Sequence, residues 1–242
     1  MLIFQLFALA GLLAGLYGIY VRYTETKRRA LPADKSPIKG NVSHGITYAF
    51  TTGMMPWAKE STRLHMIAYL RGIGFHIGIF TAIGALLISP LWRFLPSPLS
   101  STLGWILTLG TILGAAGGLM RLAEHNLRGL SLPDDHFAVW LVTVWMAASA
   151  LAVWNEAWMI TYYVLSAITM AYVPLGKIRH CLYFFFSRTF FGKFFGRRAV
   201  FPHPDAFVLS APVWDVPVLD AVALHPASST TAGKQTAGKQ ER

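Results

Sequence analysis

Apolar residues fall in five long runs, at 2–21, 72–92, 103–120, 137–154 and 157–175. Each approaches the about 20 apolar residues that a helix needs to cross the hydrocarbon core of a bilayer. The fourth and fifth runs are parted only by Asn155 and Glu156, which predicts a tight helical hairpin. Polar stretches with turn residues at 32–40, 96–101 and 126–135 separate the others. The pattern therefore predicts an all-α, polytopic membrane protein: a five-transmembrane-helix bundle over residues 1–200 and a Pro-rich tail over 201–242.

Composition narrows the class. The chain of 242 residues is 54% hydrophobic and only 13% charged, with mean hydropathy +0.47. A soluble domain carries about 25% charged residues, and disorder needs low hydrophobicity. Both classes are excluded for the bulk of the chain. The single cysteine, Cys181, excludes an intrachain disulfide, an iron–sulfur cluster held by cysteines of this chain alone, and a covalent CxxCH haem site.

The net charge of +10 is a matter of sidedness. Nine basic residues lie between Arg22 and Arg71, two between Arg121 and His136, and nine after the last run; only Arg93 falls on the opposite side. The positive-inside rule then places the N-terminus outside and the C-terminus in the cytoplasm, in the cell's inner (cytoplasmic) membrane. Topology accounts for the charge, so no nucleic-acid partner is called for. No Lys or Arg precedes the first run, and Arg22, Lys27, Arg28 and Arg29 follow it. This is the reverse of a secretory signal and predicts an uncleaved anchor.

The connections carry their own signals. The 40–63 stretch includes an amphipathic segment around Pro56-Trp57, which suits either an interfacial helix or a docking surface for a cytoplasmic subunit. Residues 181–198 mix eight aromatics with four basic side chains, a composition suited to membrane lipid headgroups. Five prolines over 201–226 predict an extended segment. The repeated Thr-Ala-Gly-Lys-Gln at 231–235 and 236–240 predicts disorder.

Histidine carries the candidate chemistry. His76 lies five residues inside the second run, where an ionisable side chain costs free energy and marks a functional candidate. His180 lies at the same end of the fifth run. Two neutral imidazoles on different helices at one depth are suited to axial ligation of a haem iron. Arg71, Arg121, Lys177 and Arg179 share that level and suit the two propionates. Gly72, Gly74 and Gly78 would leave room for a flat macrocycle. The same glycines, and Gly110, Gly114 and Gly118 on the third run, equally suit small-residue helix packing, and a lone intramembrane histidine can simply bond a neighbouring helix.

Phe75-His76-Ile-Gly-Ile79 early in the second run and Pro174-Leu-Gly-Lys-Ile-Arg-His180 closing the fifth resemble motifs of a family. The family is the cytochrome b (gamma) subunit of respiratory nitrate reductase, with its relatives in sulfate-reducer redox complexes and membrane-bound heterodisulfide reductase. The resemblance covers about residues 1–200. It implies a subunit of an anaerobic respiratory oxidoreductase complex, not a self-contained enzyme, that passes electrons between membrane quinone and a cytoplasmic iron–sulfur subunit beside other membrane subunits. It further implies that His76 and His180 are the metal ligands of the inner haem b. The positions matching the family's outer pair hold Leu86 and Tyr162, neither a usual axial ligand; His65 and His125 are the only other histidines considered for a second site. A haem-free membrane anchor and a transporter are the alternatives, the latter lacking the expected inverted repeat. One b-type haem per chain is the expected outcome of a pyridine haemochrome assay against protein concentration; two per chain would overturn it.

Overall fold

A computed structural model describes residues 1–29, 31–58 and 60–201. Among them there is no strand. The helices are α1 (Leu2–Arg28), α2 (Val42–Phe50), α3 (Glu60–Leu64), α4 (Met66–Ile88), α5 (Ser97–Ala123), α6 (His125–Leu130), α7 (Pro133–Trp154), α8 (Met159–Tyr172) and α9 (His180–Arg197), with short 3-10 turns between several of them. The extended segment and repeats expected at 202–242 lie outside the described residues, as do His203 and His225.

Four helices, α1, α4, α5 and α7, are long and apolar enough to cross a membrane. The expected fifth span differs. Helical structure over Glu156–Tyr172 breaks, and the chain resumes over Lys177–Arg197 at 66° to it. Pro174 is the physical reason: it has no N–H to continue the ladder, and its ring clashes with the preceding turn. Elsewhere the helices overrun the expected limits. α4 begins six residues before Gly72, α5 takes in most of the 96–101 turn, and the 126–135 loop is largely α6 and the start of α7.

The core is built around α7, whose Trp145 and Met146 are fully buried. Trp145 Nε1 donates to Ser166 Oγ of α8 at 2.8 Å, which satisfies an indole that would otherwise be buried unpaired. Towards α5, Met146, Thr143 and Trp140 lie over Gly110, Gly114 and Gly118. Those three glycines are therefore packing residues. Gly78 of α4 joins the same seam, where an added Cβ would come 2.9 Å from Gly110 Cα. On the far side, α1 lies along α8, with Gly11 against Ala167, Gly15 against Met170 and Gly18 against Pro174.

A second close pair forms at the basic end. α2 opens on Asn41, whose side chain accepts from the His44 N–H at 3.0 Å, a standard N-cap. It packs on α9 through Gly45, Gly192 and Gly196; a Cβ on Gly192 would come 2.6 Å from Ile46 Cα. Residues 42–50 of the 40–63 connection and the 181–198 stretch are thus one structural unit, while the segment around Pro56-Trp57 lies outside α2. Arg197 donates to Ser36 O at 2.6 and 2.9 Å, and Arg198 grips both oxygens of Asp34 at 2.8 and 3.0 Å. The Arg198 guanidinium, helped by Ser36, holds the Asp34 carboxyl far below the usual carboxylate range.

Two expectations follow. Gly192→Val should lower stability by about 1–3 kcal/mol through overpacking against backbone, whereas Gly84→Ala should be neutral or gain up to about 1 kcal/mol, because nothing lies within 4 Å of its Cβ position; thermal unfolding in detergent measures both. Because the folded Asp34 carboxyl titrates below its ordinary value of 3.8, its contribution is complete above about pH 4 and lost only as pH falls further. Hydrogen exchange at residues 36–41, corrected for intrinsic rate, should therefore be the same at pH 5 and pH 7, and should rise at both in Asp34→Asn.

Candidate functional site: a paired-histidine centre

His76 lies on α4, in a turn that begins at Gly72. Its Nδ1 is 2.7 Å from Gly72 O. His180 is the first residue of α9, directly after the 3-10 turn Lys177–Arg179, and its Nδ1 is 2.8 Å from Lys177 O. A carbonyl oxygen can only accept, so each Nδ1 carries a proton, and in the neutral ring each Nε2 keeps its lone pair. Metal-bound histidines commonly make this second contact, which fixes tautomer and ring orientation.

The two rings meet although 104 positions separate them in the chain. Their centroids are 6.3 Å apart, with planes 82° to each other. Among the described residues no set of three His, Cys, Asp or Glu could hold a metal ion. A bare tetrahedral metal needs such a set, whereas an iron already held by a macrocycle needs only two axial donors. Both histidines are exposed, and the Cβ position of Gly72 meets nothing within 4 Å. The residues present fit a bis-histidine haem.

The four cations divide into two sets. Arg71 and Arg121 line one cleft of about 160 Å³ between α4, α5 and α7, which reaches Gly72 and Phe75. Arg71 Nη1 contacts Met120 Sδ at 3.3 Å, and Arg121 Nη1 donates to Ser131 Oγ at 2.8 Å. Neither has a carboxylate within ion-pair distance among the described residues. Lys177, by contrast, pairs with Asp135 at 3.1 Å. Arg179 is half-buried beside His180. The glycines divide as well. Gly72 borders open space, whereas Gly74 is pressed on Leu113 and Gly78 on Gly110 and Met146. Only Gly72 has the roominess expected of all three.

Residues outside the expected set hold His180 in place. The Tyr172 hydroxyl donates to Asp134, and Lys177 pairs with Asp135, so both ends of the 173–176 break are tied to the start of α7. Asp135 also accepts from the Leu132 N–H at 2.9 Å and so caps α7. The Pro133-Asp134-Asp135 run signals that cap in the sequence, but not its partners on α8. Phe80, one turn beyond His76, places its ring 6.5 Å from the imidazole.

At the level of Leu86 and Tyr162 the interior is filled by protein. Leu86 and Tyr162 are both buried, and the Tyr162 hydroxyl donates to Ala82 O at 3.2 Å. His65 precedes the first turn of α4, and His125 opens α6. Neither makes a ring contact with the pair. No family model, no curated protein and no solved structure matches this chain.

Proposed function

We propose that the chain is a membrane cytochrome b subunit holding one haem b between His76 and His180, and that it passes electrons between membrane quinone and a cytoplasmic iron–sulfur subunit. The observation that carries this reading is the imidazole pair, brought together from α4 and α9 with each Nδ1 bonded to backbone and each Nε2 free. When bound, such a haem supplies one-electron chemistry that no side chain here can provide. His76 and His180 contribute axial nitrogens of fixed tautomer. Arg71 and Arg121 form no ion pair among the described residues, with Arg121 in electrostatic reach of Asp135, and their guanidiniums are suited to propionates by charge-assisted bonding. Lys177 and Arg179 stand beside His180, with Lys177 shared with Asp135.

The cytoplasmic orientation follows from the charge distribution of the sequence, and the inner-membrane location and the partners follow from the family resemblance. The α2–α9 unit adds support, since it collects the 40–50 segment and the stretch after His180 into one basic, aromatic surface next to the histidine centre. That surface is where an iron–sulfur subunit, other membrane subunits and lipid headgroups would meet the chain.

His76→Ala and His180→Ala should each abolish a low-spin b-type spectrum, because each leaves at most one axial nitrogen. His44→Ala, on α2, should leave it intact. A low-spin spectrum retained in His76→Ala would overturn the assignment.

A further inference from the structure

One side of α9 packs on α2 along Gly192 and Gly196. At about 100° per residue, Phe190 and Phe194 stand about 200° round the helix from Gly192, on the side away from that seam. Phe190 is 53% exposed, and its ring stacks on that of Phe194 at 6.0 Å. Phe191, 36% exposed, widens the same ridge. Arg188 and Lys193 fall about 60° and about 80° to either side of the glycine line, between seam and ridge. Neither takes part in an ion pair among the described residues, and no Asp or Glu occurs over 177–201.

Two observations fix where this ridge lies. α8 runs along α1, a membrane span, and the chain turns 66° between α8 and the segment that holds α9. α9 therefore runs nearer to the plane of the bilayer than to its normal. Phe186 of α9 meets Tyr23 of α1 at 5.7 Å, two residues past the end of the apolar 2–21 run. That is the depth at which hydrocarbon gives way to headgroups and aromatic side chains collect.

We infer that the phenylalanine ridge of α9 lies in the acyl boundary of an anionic bilayer, with Arg188 and Lys193 binding acidic lipid headgroups on either side of it and α2 on the water side. An acidic protein surface would answer the cations but would set charge against bare phenylalanines. A bilayer without net charge would take the ridge and leave the cations unanswered. An anionic bilayer answers both. The inference goes beyond the proposed function, because it gives this face of the α2–α9 unit to acidic lipid and leaves protein partners only the α2 side. It holds whether or not His180 ligates a haem.

The test uses the full chain in nanodiscs of equimolar phosphatidylcholine and phosphatidylglycerol. Cys181→Ser removes the only native cysteine, and Ser187→Cys, at an exposed position on the ridge side, carries a fluorophore. Ser43→Cys, exposed on α2, carries it in a control. The quencher is a doxyl group near the top of the acyl chain of one lipid or the other. Both doxyl lipids should quench the label at 187, with phosphatidylglycerol favoured about fivefold, the effect of one basic side chain near an acidic surface. Neither should quench at 43. Arg188→Gln combined with Lys193→Gln should leave quenching by phosphatidylcholine and bring the preference close to one. Absence of quenching at 187 would mark the ridge as a water or protein face and overturn the inference. Equal quenching by the two lipids, a preference that survives the double substitution, or quenching at 43 as strong as at 187 would overturn it as well.

Discussion

Lipid tails are as apolar as leucine, so helices in a bilayer gain little by hiding apolar side chains and associate where small residues let backbones touch. This chain uses that contact at three of its seams. Gly11 and Gly15 bring α1 onto the backbone of α8, Gly78 and Gly110 bring α4 onto α5, and Gly45, Gly192 and Gly196 bring α2 onto α9. Large side chains then fill what the glycines leave, as Trp140 does over Gly118 and Phe75 over Gly114. The outward faces keep residues such as Leu13, Trp105 and Ile112, each more than half exposed, where an ordinary soluble surface would carry charge.

The histidine centre depends on these seams at one remove. The pair is held through a chain of packed helices, α4 on α5, α5 on α7, and α7 on α8. The last link is polar. Asp134 and Asp135 at the start of α7 anchor Tyr172 and Lys177 on either side of the Pro174 break, and the chain leaves that anchor at 66° to α8, three residues before His180. A straight fifth helix would carry His180 further along the axis of α8. In the bent chain the His180 ring lies 6.3 Å from that of His76.

Much of this was legible in the sequence, and the division has a physical basis. Helices in lipid must satisfy their own backbone, so hydropathy alone locates α1, α4, α5 and α7. Depth is counted at a fixed rise per residue, which is why His76 and His180 could be paired before any contact was known. The helix ends were less legible. Ser97, Pro98 and Pro133 read as turn residues, yet they occupy first-turn positions where a missing N–H costs nothing. Direction around a helix was also hidden. Gly72, Gly74 and Gly78 look alike in sequence, but only contacts from α5 and α7 show that the latter two face protein. The α2–α9 pairing joins segments about 150 residues apart, and no local pattern specifies it.

The two halves of the bundle differ in how they treat polar groups, and that difference bears on where the proposed cofactor fits. In the half bearing His76 and His180, the cations Arg71 and Arg121 line a cleft without carboxylates, and the imidazoles keep free nitrogen lone pairs. In the buried interior of the other half, polar groups are answered within the protein: Tyr162 by Ala82, Trp145 by Ser166, and Ser166 by the Tyr162 carbonyl at 2.7 Å. A second pair of axial ligands at the Leu86 level would have to displace a buried tyrosine and its hydrogen bond. The cationic half is the one suited to the dianionic cofactor of the proposed reading, while the half around Leu86 and Tyr162 is filled by its own packed and hydrogen-bonded side chains.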